Sequence, residues 1–203
     1  FIDACSSQEG IESSQVTDLI FFGLQQILPL MTQGLLQYPT LCSQFFELIG
    51  FMMDTYPEKV CGLPYELFDS LLESLLFGMS HTDSSVAKVS LQGLSSIVRE
   101  HLESRALLPH LERNPDIFDR CSRRLLAEVV FQTIVFDRVE AAGMSLLPLA
   151  AADVNRFAAV VQELSSRIPD PQQRARLDVA FSKLIQPEVL SKASSGGYEG
   201  RSN

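Results

Sequence analysis

Apolar residues recur along most of this chain at intervals of three and four, the spacing of a helix face. From Val16 to about Gln33 they crowd together as Leu19, Ile20, Phe22, Leu24, Ile27, Leu28 and Met31. That density predicts a helix apolar on more than one side, with Pro29 kinking its last turns. Gly34 and Pro39 mark a break. A second helix is expected from Pro39 to Tyr56, with Leu41, Phe45, Leu48, Ile49, Met52 and Met53 as its stripe and Phe46 and Phe51 widening it. Pro57 stops it. Pro64 opens a third, the clearest amphipathic pattern in the chain. Leu67, Phe68, Leu71, Leu72, Leu75, Leu76 and Met79 share one face, and Glu66, Asp69, Ser70, Glu73 and Ser74 take the other. Asp83 or Ser84 caps a fourth helix that continues to Leu102.

Residues 104–114 read as a polar connection. Pro115 restarts a helix to about Phe136, and a softer one follows from Glu140 to Ala151, interrupted by Gly143 and Pro148. Asp153 caps the next, which reaches Ile168, and Pro171 sits at the first position of the last, which carries Leu177, Phe181 and Leu184. Residues 1–15 read as a polar loop and residues 188–203 as a disordered tail. No segment sustains the period-2 alternation of a strand.

About eight helices joined by short turns pair as neighbours, in units of roughly 40–50 residues, the length of a HEAT-type hairpin. A short hairpin buries one face of each helix, so the second apolar face must pack on the next hairpin. The expected fold is therefore all-α: an α-solenoid of HEAT-like antiparallel helical hairpins over residues 16–187, about four hairpins in all.

Composition sharpens this. With 46% hydrophobic and 20% charged residues, the chain has enough apolar surface for a core. No basic and apolar leader opens it, and no apolar run approaches the roughly 18–20 residues a membrane span needs. The four cysteines, Cys5, Cys42, Cys61 and Cys121, form no C-x-x-C pair and read as reduced thiols, three of them in apolar helical settings or at helix ends. The net charge of −9 is uneven. Residues 1–112 hold 14 acids and 4 Lys or Arg, whereas residues 113–203 hold 11 acids and 12 Lys or Arg. An acidic first half repels nucleic acid and anionic membrane and attracts basic protein surfaces; a merely solvated acidic surface explains the count equally well.

Candidate chemistry is sparse. His81, His101 and His110 have no Cys, Asp or Glu at metal-ligand spacing. No phosphate-cradling glycine motif occurs. Arg120, Arg123 and Arg124 share a helix with Asp116 and Asp119, so intrahelical ion pairs account for them as well as any ligand does. Met52-Met53 and Phe45-Phe46 read as core before they read as a binding groove. The expectation is no catalytic residue, no metal, no cofactor and no enzyme activity. What remains is an acidic row, Glu66, Asp69 and Glu73, as a candidate protein-binding face.

One stretch is more specific. Gly23, Pro29-Leu30-Met31, Leu35-Leu36, Tyr38-Pro39-Thr40-Leu41-Cys42, Phe45-Phe46 and Pro57-Glu58-Lys59 occur in that order, followed by LPYELFDSLLESLLFGM. This run resembles the C-terminal repeats of the exportins, in the exportin-4 and exportin-7 branch of the importin-β-like nuclear transport receptors. The likeness is strongest over residues 11–102, and the helix layout continues to about 190, where Ala180-Phe181-Ser182-Lys183-Leu184 echoes the last repeats. The resemblance implies part of a longer HEAT-repeat receptor, consistent with a chain that opens Phe1-Ile2-Asp3 without an initiator methionine. It implies binding of Ran-GTP and of protein cargo, the hypusine-bearing translation factor among the candidates, with passage through nucleoporins between nucleus and cytoplasm. It implies no nucleic-acid partner and no membrane insertion. A helical scaffold or adaptor without a transport role is the alternative.

Overall fold

The computed structural model describes residues 19–32, 34–131 and 136–195. Among these residues the only regular structure is helical. The helices are α1 (19–27), α2 (Pro39–Thr55), α3 (Pro57–Cys61), α4 (Tyr65–Met79), α5 (Ser84–Ser104), α6 (Leu108–Arg113), α7 (Ile117–Phe131), α8 (Phe136–Ala152), α9 (Val154–Ser166), α10 (Pro171–Leu184) and α11 (Pro187–Ser195).

They form two layers. In one, α2, α5, α8 and α11 follow one another, each packed on the next. In the other, the short 3-10 turn Leu28–Leu30 meets α4, α4 touches α7, α7 packs on α9 and α9 on α10. The two layers are joined within hairpins, α4 against α5 and α7 against α8. This is the all-α solenoid that two-faced apolar helices require. The core runs the length of the stack without a single centre: Phe46, Ile49, Met52 and Met53 of α2, Leu71, Leu72 and Leu75 of α4, Leu94 and Ile97 of α5, Leu126 of α7 and Phe157 of α9 are all buried.

The capping chemistry is local. Asp83 accepts a hydrogen bond from Ser85 N at 2.8 Å and starts α5, Asp153 accepts from Arg156 N at 3.0 Å and starts α9, and Asp170 accepts from Gln172 N at 2.9 Å with Pro171 behind it. Gly50, where a Cβ would meet Val89 of α5, and two further glycines allow close approach. A Cβ on Gly78 would collide with Ser90 Oγ and the Phe46 ring, and one on Gly93 with Met53 Sδ, so these bare positions set the spacing of α4, α5 and α2.

Several boundaries differ from the pattern reading. Pro29 does not kink a continuing helix: α1 ends at residue 27 and the chain tightens into a 3-10 turn with Pro29 inside. Pro57 ends α2 and also begins α3, because proline suits a first helical turn. The connection 104–114 contains α6, again started near a proline, Pro109. Helix α8 is longer than the stretch from Glu140 and runs through Gly143 and Pro148.

The tail is the largest correction. Residues 187–195 form α11, which takes the place after α8 in its layer, so α8 is followed there by α11 and not by α10. Pro187 starts it and Leu190 packs against the core. The run of serines and lysine around it hides a helix of only nine residues, too short to show a period. The loop expected over residues 1–15 and the remainder of the tail, 196–203, lie outside the described residues.

Candidate docking surface

On the layer formed by α4, α7 and α9, the solenoid leaves a groove of about 870 Å3. It exists because α4 and α7 touch over few residues while their hairpin partners α5 and α8 pack closely. Its lining is mixed: Leu28, Met31, Leu36, Leu76 and Phe77 are apolar, Arg120, Arg123, Arg124 and Arg167 are basic, and Asp69 and Glu73 are acidic.

Glu66, Asp69 and Glu73 are brought together on one side of α4, as their spacing of three and four requires. They do not stand alone. Arg113 of α6 reaches Glu66 at 2.6 Å and its guanidinium lies 4.3 Å from the centre of the Tyr65 ring. Arg120 of α7 bridges Asp69 at 2.7 Å and Glu73 at 2.8 Å. The acidic row of one hairpin is thus the counter-charge of the next. Glu66 is 68% exposed and Glu73 56%, whereas Asp69 is 34% exposed. A backbone N–H hydrogen bond and the Arg113 contact hold the Glu66 carboxyl below its usual range. Burial works against the Arg120 charge, but the Asp69 hydrogen bond with the Asp69 and Glu73 charges outweighs it, so its pKa is raised.

The basic cluster divides. Arg123 pairs with Asp119 within α7, as the intrahelical reading expects, and also reaches Glu163 on α9. The Arg123 hydrogen bond is the chief reason that the Glu163 pKa lies low. Arg124 donates to Ser80 Oγ at 2.5 Å, Ser80 donates to Glu128, and Glu128 stands 3.8 Å from Arg124. The cross-hairpin role of Arg120 and Arg124 was not legible in sequence: their partners lie about one repeat away along the chain, and only the repeat length hints at them.

The three histidines and Cys42, Cys61 and Cys121 sit in packed or hydrogen-bonded settings. His101 Nδ1 accepts a hydrogen bond from Leu107 N at 3.2 Å, and His110 Nε2 donates to the Cys61 carbonyl at 2.8 Å while stacking on Phe68. His81 Nδ1 accepts from Asp83 N at 3.1 Å, leaving Nε2 toward Cys42 Sγ at 3.8 Å. Cys42, Cys61 and Cys121 are free and buried. Burial pushes the Cys61 and Cys121 thiols up to about 12, the wrong direction for a nucleophile. Phe45, Phe46, Met52 and Met53 are buried core. Among the described residues no His, Cys, Asp and Glu cluster could hold a metal, and no helix is long and apolar enough to cross a membrane.

A two-layered helical stack with a charged groove along one layer defines the class as an all-α solenoid. Residues 7–109, just over half of the chain, match the CRM1 C terminal family, and the chain belongs to that family. This places it among the exportin, importin-β-like proteins, a family of transport receptors and not of enzymes.

Proposed function

We propose that this chain is a C-terminal part of a nuclear export receptor, in the exportin-4 branch, that binds protein cargo in concert with Ran-GTP. The observation that carries this reading is the family match over residues 7–109, joined to a stack whose groove offers apolar and charged positions side by side. Binding here is differential: cargo and Ran-GTP favour the same curvature of the solenoid, so each raises affinity for the other. The receptor shuttles between nucleus and cytoplasm past nucleoporins, carries no cofactor and performs no chemistry of its own.

Within this reading the row Glu66, Asp69 and Glu73 is the cargo-facing element, suited to a basic surface such as that of a hypusine-bearing factor. Glu66 and Glu73 are more than half exposed, so a cargo cation reaches them by exchanging with Arg113 and Arg120. Reversing the three charges should weaken cargo binding and flatten its salt dependence; unchanged affinity at every salt concentration removes the row from the interface.

A scaffold or adaptor role is the second reading, favoured by the same elongated stack. A pull-down with the full-length protein separates the two. A transport receptor retains Ran-GTP in preference to Ran-GDP, and equal retention of both forms rejects the receptor reading.

A further inference from the structure

We propose that the α4–α7 junction is the hinge of this stack and that Arg120, held by Asp69 and Glu73, is its latch. Between the second and third hairpins the two layers are joined by different physics. On the α5–α8 side the contact is close and mostly apolar. Leu91, Leu94 and Val98 are buried beside Ala141, Ala142 and Leu149, and two serines cross between the helices. Ser95 donates to the Met144 carbonyl at 3.0 Å and Ser145 to the Leu91 carbonyl at 2.7 Å. Opening that side exposes apolar surface and strands buried polar groups.

On the α4–α7 side the helices touch over few residues beside the 870 Å3 groove, and Arg120 of α7 crosses to Asp69 and Glu73 of α4, all three lining the groove, while Arg113 of α6 pairs with Glu66 outside it. Arg113–Glu66 is exposed on both partners, and Arg120 with its two carboxylates is partly so. Such pairs hold weakly, and salt screens them. The latch is also imperfect: with its two terminal nitrogens engaged, Arg120 keeps its Nε buried without a partner. The motion this difference favours is a rotation about the α5–α8 contact, with α6 kept on α4 by the His110–Phe68 stack, that opens or closes the groove between α4 and α7, a domain hinge in miniature. The charge step along the sequence acquires a place in the fold. It falls near residue 113, so the acidic first part, carried here by Glu66, Asp69 and Glu73, meets Arg113 and Arg120 of the nearly neutral remainder.

The experiment measures two spin-label distances in the full chain with Cys5→Ser, the buried native thiols remaining unlabelled. One pair, S70C with A127C, spans the groove; the other, Q92C with M144C, spans the α5–α8 contact. Raising salt to about 1 M, where the Debye length falls to about 3 Å, should shift the groove distance to longer values and broaden it. Asp69→Asn with Glu73→Gln should do the same at low salt, and the α5–α8 distance should stay fixed throughout. A groove distance unmoved by salt and by the double variant overturns the latch. Equal movement of both pairs overturns the hinge, and the salt titration decides the matter even if the double variant unfolds.

Discussion

Ser95 supplies the hydrogen bond that Pro148 withholds. Proline has no N–H to donate to the carbonyl four residues earlier, which in α8 is that of Met144, and Ser95 of α5 donates its hydroxyl to that oxygen at 3.0 Å. The neighbouring helix thus completes the helix that the proline would otherwise break. Ser95→Ala leaves a partly buried carbonyl short of a donor and should cost about 1–2 kcal/mol in urea unfolding. In a Pro148→Ala background the helix regains its own donor, so the same serine substitution should cost measurably less. Equal costs in both backgrounds would show that the two residues are not coupled.

Helix spacing depends on glycine at several places, Gly78 and Gly93 among them. Gly78→Ala drives a methyl group into Ser90 and Phe46, and Gly93→Ala drives one into Met53. Each should destabilise the protein by about 1–3 kcal/mol, because overpacking forces side chains off their rotamers. Gly143 has open space around the same position, so Gly143→Ala should be neutral or stabilising by up to about 1 kcal/mol through helix propensity. Thermal unfolding of the three variants checks the order.

Acid should weaken the α5–α6 corner. Burial, helped by the Arg105 charge, holds the His101 pKa below its ordinary value of 6.5. Its Nδ1 must stay unprotonated to accept from Leu107 N. As pH falls through about 6.5 the unfolded chain takes up the proton first, so stability declines until the folded-state pKa is reached; above 6.5 this contribution is constant. His101→Asn keeps an acceptor and cannot titrate there. Denaturation curves at pH 5.5 and 7.5 should therefore differ less for the variant than for the parent protein.

Buried thiols should report opening. Cys61 and Cys121, with thiols raised to about 12, should resist alkylation at neutral pH in the native state and react once denaturant unfolds the chain. Fast native-state labelling of either would contradict the packing described for α3 and α7.

The long helices were legible because their faces were. Leu67 to Met79 in α4 and Val86 to Leu102 in α5 repeat at helical spacing, the caps Asp83 and Asp153 stand where free N–H groups need an acceptor, and Pro171 opens α10; the Asp170 cap before it was not foreseen. The stacking followed from the excess of apolar faces. Short elements escaped because five, six or nine residues, as in α3, α6 and α11, hold too few turns to show a period. Pro148 misled for a different reason. Its cost to α8 is offset by Ser95, 53 residues earlier, and nothing local announces the compensation. The acidic row was found as residues, but its partners Arg113 and Arg120 were not, since an ion pair between repeats leaves no local pattern.

Under the proposed function, this solenoid serves a receptor in which cargo and Ran-GTP favour one conformation. Cargo affinity of the full-length protein, measured with and without saturating Ran-GTP, tests it most directly, together with Ran-GTP affinity measured with and without cargo. Each ligand should tighten the other by the same factor, as linkage requires, and Ran-GDP should have no such effect. Cargo affinity that ignores the nucleotide state of Ran would contradict it.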